Sequence, residues 1–156
     1  MNKKKLFLAV LVILLMAGCK RNEERISYHG FQNKIWNRFE ILKFDLMIDK
    51  IDKPYDIFFF ADHTKDYEFN NLDFNMIMTT PAGEERIKEY HFPLKIKTGA
   101  FTGTCTKDSC IATIVLKKGL WFTKKGIVRI EIETLVPRLE IGELCGVGIR
   151  MVPVAE

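Results

Sequence analysis

The chain has 156 residues, with 24 basic and 20 acidic side chains and a formal charge of +4. Three of those bases, Lys3, Lys4 and Lys5, stand in the first eighteen positions without an acid, so the remainder is close to neutral. One ordinary domain fits this length, a hydrophobic content of 47% is enough to bury a core, and a near-neutral body lacks the basic surface that nucleic-acid phosphates require.

Residues 1–18 have the three parts of a secretory signal. Lys3 to Lys5 give the positive start, Leu6 to Met16 an unbroken apolar run of eleven residues, and Ala17-Gly18 a small-residue end before Cys19. At about 1.5 Å per residue the run covers only about 17 Å, short of a hydrocarbon core of about 30 Å. It addresses the chain rather than spanning a bilayer. Met16-Ala17-Gly18-Cys19 resembles a bacterial lipobox, with Met16 where leucine is usual. That resemblance implies a diacylglycerol on the Cys19 thiol and cleavage just before it. Each buried methylene adds about 0.8 kcal/mol, so two or three acyl chains hold a domain that one would not. Residues 19–30 are expected to be the lipidated cysteine and a flexible spacer, because Lys20-Arg21-Asn22-Glu23-Glu24-Arg25 is polar throughout. The folded domain is then expected over residues 31–156. Lys20, not Asp, follows the anchor, which by analogy with bacterial sorting rules favours the outer membrane, with its periplasmic and surface faces both open.

Downstream, alternation with period two dominates, and no segment shows a capped helical period. Leu42, Phe44, Leu46 and Ile48 share one face, with Lys43, Asp45 and Met47 opposite. Tyr55 to Ala61 is apolar on both faces, Tyr55, Ile57 and Phe59 against Phe58 and Phe60, which predicts a central or covered strand. Leu72, Phe74, Met76 and Met78 alternate next, and Pro81-Ala82-Gly83-Glu84 supplies a turn. Tyr90, Phe92, Leu94 and Ile96 follow, with Pro93 placing that strand at an edge or bulge. Ile111 to Leu116, Leu120 to Phe122, Val128-Ile130-Ile132 and Val147-Ile149-Met151 complete the series. Gly119 and Lys125-Gly126 mark turns, and Leu135 to Leu144 reads as a loop. About eight short strands at fairly regular spacing predict an all-β fold, an antiparallel β-sandwich of jelly-roll or immunoglobulin-like kind.

Beyond Cys19 the cysteines are Cys105, Cys110 and Cys145. Cys105 and Cys110 bracket four polar residues, a good hairpin length, and an exported domain meets an oxidising compartment. A disulfide closing this loop is expected, with two free thiols as the other state. Such a small ring stabilises by about 1–3 kcal/mol. Cys145 heads an apolar strand and reads as a buried free cysteine, pairing with Cys105 or Cys110 being the alternative. A zinc site would need further ligands, and no histidine lies near this loop in sequence, so the pair alone is weak evidence for metal.

No phosphate-binding glycine loop, zinc-protease helix, nucleophile elbow or paired CxxC motif is present. Asp62-His63-Thr64-Lys65-Asp66 is the most site-like cluster, with two carboxylates and an imidazole for a metal or for acid–base work. Turns favour Asp and Thr for backbone reasons, so the expected role is a polar turn. His91 is expected to face outward from an edge strand, and His29 falls in the entry segment. Tyr28, Trp36, Tyr67 and Trp121 are candidates for a sugar-binding platform, although Leu120 and Phe122 beside Trp121 favour packing for that indole. Glu131 and Glu133, with Arg129, read as the wet face of a strand rather than a glycosidase pair.

The order of several short pieces resembles a known family. A lipobox is followed by Ile35-Trp36, a strand with Phe44, Tyr55-Asp56-Ile57-Phe58, then Tyr67-Glu68-Phe69-Asn70-Asn71-Leu72 and Pro81-Ala82-Gly83. Gly103, Phe122 with Gly126, and Val147-Gly148-Ile149 come later. This is similar to the gliding-motility lipoprotein H family (GldH) of Bacteroidetes, roughly from Phe31 to Met151. The resemblance implies an outer-membrane lipoprotein that serves the gliding apparatus or its associated secretion system as an accessory component. It implies envelope proteins as partners, and no enzyme activity, cofactor, metal or small-molecule substrate. Only Cys19 carries over with a role, and the Cys105–Cys110 loop is not part of the matched pattern. The alternative is a surface lipoprotein that binds glycans or peptides.

Overall fold

The segment Leu42–Ile48 buries Leu42, Phe44, Leu46 and Ile48 and exposes Lys43, Asp45 and Met47, as period-two alternation requires. The computed structural model describes residues 24–154. The expected signal, Cys19 and the spacer up to Glu23 lie outside the described residues. Eleven strands follow in order: β1 (Arg25–Gly30), β2 (Trp36–Asn37), β3 (Leu42–Ile48), β4 (Tyr55–Thr64), β5 (Phe74–Thr79), β6 (Glu85–Tyr90), β7 (Thr104–Cys105), β8 (Ser109–Leu120), β9 (Gly126–Thr134), β10 (Glu140–Ile141) and β11 (Leu144–Pro153). One sheet runs β1-β11-β4-β8-β7, a second β3-β9-β5-β6, and β2 and β10 form a small ribbon. Every pairing is antiparallel.

The two large sheets face each other across aromatic side chains. Phe59 of β4 meets Phe74 of β5 at 4.4 Å between ring centroids and Phe92 at 5.8 Å. Tyr90, last in β6, donates its hydroxyl hydrogen to the Leu116 carbonyl of β8 at 2.6 Å, so its polar tip is satisfied within the core. Phe59, Phe74, Ile130 and Ile132 are wholly buried, each such side chain contributing about 1.5–3 kcal/mol. The all-β sandwich expected from alternation is therefore the fold, and β4, apolar on both faces, sits centrally between β11 and β8.

Three boundaries differ from the sequence reading. First, Arg25–Gly30, expected in the spacer, is a strand that pairs residue for residue with β11, from Arg25 opposite Met151 to Gly30 opposite Gly146. It buries little of itself, so its sequence carries a weak alternation signal. Second, of the strand expected over Tyr90–Ile96 only Tyr90 lies in a ladder, as the last residue of β6; beyond it Pro93 and Lys95 make isolated bridges. Tyr90, Phe92 and Leu94 are buried in alternation, whereas Ile96 is exposed. Leu72 N–H donates to the Phe92 carbonyl, and Leu94 and Lys95 N–H groups donate to the Asn70 carbonyl. Pro93 thus lies against a loop, where its missing N–H costs nothing. Third, Leu120 closes β8, while Trp121 and Phe122 lie beyond it, and the expected loop Leu135–Leu144 contains β10, which pairs with β2.

Candidate interaction surface

On β4 the residues that do not enter the core point outward from the first sheet. The ladder aligns them in rows: Ile26, Arg150, Phe58 and Val115; then Tyr28, Gly148, Phe60 and Thr113; then Gly30, Gly146, Asp62 and Ile111. Ile26, Tyr28, Ile111 and Val115 are exposed, and Phe58 and Phe60 half-buried. Two glycines shape this face. A Cβ on Gly148 would stand 2.4 Å from Phe60 Cζ, and one on Gly146 would stand 2.1 Å from the Tyr28 hydroxyl. The rings lie over the bare backbone and stack on each other, with centroids 6.0 Å apart. The Arg150 guanidinium covers Phe58 at 4.6 Å and reaches Glu24 at 3.4 Å.

The outer face of the second sheet is charged. Arg129 makes two 2.8 Å bonds to Asp45, holding its carboxyl below the usual range, and Lys43 meets Glu131 at 3.0 Å. Met47, Ile127 and Ile87 are exposed beside these pairs, and Ile77, opposite Ile87, is half-buried. Glu131 is thus tied across the strands, as its reading on a wet face anticipated. Aromatic rings mark the first face and cross-strand ion pairs the second, and rings are what protein interfaces favour at their centres.

At one end of β4 the cluster Asp62 to Asp66 divides. Only Lys65 and Asp66 form the turn; Asp62, His63 and Thr64 belong to the strand. His63 is wholly buried, with Tyr67 at 5.4 Å and Phe101 at 4.7 Å. Its Nδ1 lies 2.8 Å from the Thr64 carbonyl, which makes Nδ1 the protonated nitrogen of the neutral ring, and Nε2 has no partner. Burial holds the imidazole below its ordinary pKa. The Thr64 hydroxyl donates to Glu143 Oε2 at 2.5 Å and accepts the Asp66 N–H at 3.2 Å. Asp62 points to the opposite face, one oxygen without a partner, and its charge helps push the Tyr28 hydroxyl and the Cys145 thiol upward, burial being the larger cause for both. Alternation along the strand therefore separates Asp62 from His63, and no acid–base constellation forms.

The aromatic candidates for a sugar platform separate as well. Trp36 is wholly buried, its indole N–H donating to the Glu40 carbonyl at 3.0 Å, and Tyr67 is buried with its hydroxyl on the Asn71 carbonyl at 3.2 Å. Tyr28 and Trp121 are exposed. Tyr28 lies in the Phe60 row while Trp121 lies beyond the Tyr55 row, about 16 Å away along the strand. Trp121, expected to pack, is turned outward between buried Leu120 and Phe122.

Cys105 and Cys110 stand opposite each other across the β7–β8 hairpin and are joined by a disulfide, with Cα atoms 4.0 Å apart. Thr106 N–H closes the turn onto the Ser109 carbonyl at 2.8 Å. Cys145 is a free, half-buried thiol at the irregularity where β11 begins. His91 is exposed and meets Asp73 at 2.8 Å, and His29 lies 3.6 Å from Glu40. Among the described residues no group of His, Cys, Asp and Glu side chains gathers as a metal site, and no helix is long and apolar enough to cross a membrane.

Alternation along β4 identifies a central strand but not that its second face, with Phe58 and Phe60, looks outward. The signal lay in Cys145-Gly146-Val147-Gly148: two glycines at strand spacing, which let rings settle on the backbone.

The described residues thus form an all-β sandwich that carries aromatic rings on the outer face of its first sheet. The model of the GldH lipoprotein family matches residues 25–151. The chain belongs to the GldH lipoprotein family. It is similar to "Gliding motility lipoprotein GldH" of Flavobacterium johnsoniae, with 23% identity over 147 residues, covering 94% of this chain and 89% of the relative. No solved structure matches. The family segment Tyr67–Leu72 proves structural in character: Tyr67 and Leu72 are buried, and the Asn70 carbonyl holds Leu94 and Lys95. Gly83, with φ +86°, makes the turn whose N–H donates to Thr80.

Proposed function

We propose that the protein is a non-enzymatic outer-membrane lipoprotein, acylated at Cys19, that serves as an accessory component of a gliding-motility or associated secretion apparatus. Its outer face on the first sheet, with Ile26, Tyr28, Phe58, Phe60 and Ile111, is the docking surface for an envelope protein. Membership of a lipoprotein family and the lipobox ending at Cys19 support the anchor. The observation that carries the docking surface is the contrast between the two outer faces, one with stacked aromatic rings and the other with cross-strand ion pairs among aliphatic side chains. The separation of Asp62 from His63 supports a role without catalysis. Burial of Trp36 and Tyr67 removes two aromatics from the glycan-binding alternative.

Two variants test the halves separately. Cys19→Ala is expected to lose acyl labelling and leave the membrane fraction; a variant that stays in the membrane argues against lipid as the principal anchor. Ile26→Glu with Ile111→Glu places charges at exposed positions, so the fold is expected to persist. Cross-linked capture from membranes followed by mass spectrometry is expected to lose an envelope protein that the wild type retains. Capture of the same set by this variant removes the docking surface.

A further inference from the structure

The strand ladders place the membrane tether beside one loop end of the sandwich. Arg25, first in β1, pairs with Met151, Met151 with Ile57, and Ile57 with Lys117. Arg25 also reaches Asp49, just past β3, at 2.8 Å. The domain thus begins at the end built from the β3–β4 loop, the β8–β9 connection and the β5–β6 turn. Trp121 and Phe122 share a cleft there with Pro81 and Ala82. Cys19 stands six positions before Arg25, a reach of at most about 20 Å. Acyl chains on Cys19 therefore hold this end, and not the opposite one, next to their leaflet.

That end is cationic and carries an outward indole. Lys117, Lys118, Lys124 and Lys125 are all exposed, and residues 117–126 contain no acid. None of the four makes an ion pair with a described residue. Three nearby carboxylates are engaged, Asp49 by Arg25, Asp56 by the Gly119 N–H at 2.8 Å and Glu84 by Arg86 at 3.2 Å, while Glu85 is exposed at the start of β6. Asp52 falls between Lys50 and Lys53 in the chain. Trp121 is 58% exposed although both its neighbours are buried. Phe122 is fixed edge-on against Tyr55, with centroids 5.7 Å apart, so the indole is held outward by an anchored backbone. Lysine clusters bind anionic headgroups, and tryptophan, apolar with one N–H, favours the interfacial layer.

We infer that this loop end seats on the bilayer, with Lys117, Lys118, Lys124 and Lys125 on anionic phosphate headgroups and Trp121 in the interfacial layer. The sandwich then stands on the leaflet with its His63 end and the Cys105–Cys110 hairpin away from it. The seating rests on acylation at Cys19, which delivers this end to the surface.

The chain has two tryptophans, Trp36 wholly buried and Trp121 exposed, so fluorescence carries its own control. The acylated chain is reconstituted into vesicles of phosphatidylethanolamine and phosphatidylglycerol that contain lipid brominated near the glycerol end of its acyl chains. Part of the emission, missing in Trp121→Phe, is expected to be quenched. Glutamine at all four lysines, or vesicles of phosphatidylcholine alone, is expected to lower the quenched share about five-fold or more, while the protein still floats with the vesicles. A chain that floats without quenching, or quenching that survives the four glutamines, overturns the seating and leaves the anchor standing. A chain that does not float overturns the anchor and the seating with it.

Discussion

At Gly148 an added Cβ would meet both a ring and a carbonyl: Phe60 Cζ at 2.4 Å and the Ser27 carbonyl oxygen at 2.7 Å. The ring can swing away, but the carbonyl belongs to the ladder. Gly148→Ala is therefore expected to destabilise by about 1–3 kcal/mol, which thermal unfolding reads as about 2–4 °C per kcal/mol at this size. Adding Phe60→Ala is expected to recover only part of the loss; full recovery would show that the ring alone sets the limit. His63 gives a pH signature. Burial depresses its pKa below 6.5, the Thr64 carbonyl and Asp62 oppose that shift, and Lys95 adds to it. The unfolded chain takes up a proton as the pH falls through about 6.5 while the folded ring stays neutral, so stability is lost below that pH until the depressed folded value is reached. Unfolding free energies from urea titrations at pH 7.5 and 5.5 are expected to differ more for the wild type than for His63→Phe, by at most about 1.4 kcal/mol per pH unit. Equal losses in the two proteins would exclude His63 as the source. The buried imidazole was legible as a residue in the sequence but not as a core residue, because its neighbours Asp62 and Thr64 are turn formers.

Among the elements, β1 shows how a strand can hide in a sequence. Its outward residues Ile26 and Tyr28 are apolar and exposed, and Arg25, Ser27 and His29 are half-buried, the reverse of the usual pattern. Pairing with β11 makes it a strand, and that partner lies at the other end of the chain. Deleting residues 20–23 is expected to leave the unfolding temperature unchanged. Deleting residues 25–30 removes six ladder pairs and bares the β11 edge, so a fall of about 10 °C or more is expected. Equal temperatures for the two deletions would return residues 25–30 to the spacer. By contrast β3, β5 and β9 were legible directly, since each buries one face and wets the other. The β7–β8 hairpin closes a ring of few residues, and a bridge there constrains the unfolded chain by only about 2 kcal/mol.

For the molecule as a whole, most pairings join distant segments: β1 with β11, β4 with β8, β3 with β9. Loops must close before such contacts reward it, so refolding is expected in milliseconds to seconds, as for other β-sandwiches. Stopped-flow fluorescence reads this through Trp36, wholly buried in the fold where β2 pairs with β10; a microsecond phase with full amplitude would contradict it. The same topology assigns the faces. One sheet turns rings outward, the other turns ion pairs outward, and the first residue of β1 emerges at the lysine-bearing loop end.

The amino-acid order alone determined the all-β class, most core positions and the hairpin spacing of Cys105 and Cys110. Each of these is a local property, written in period-two burial or in the spacing of residues along the chain. Only the tertiary structure decided that Arg25–Gly30 is a strand, that Trp36 is inside and Trp121 outside, and that Asp62 and His63 part company. Those outcomes depend on which strand lies alongside and what covers each face, and a linear pattern of apolar residues carries neither.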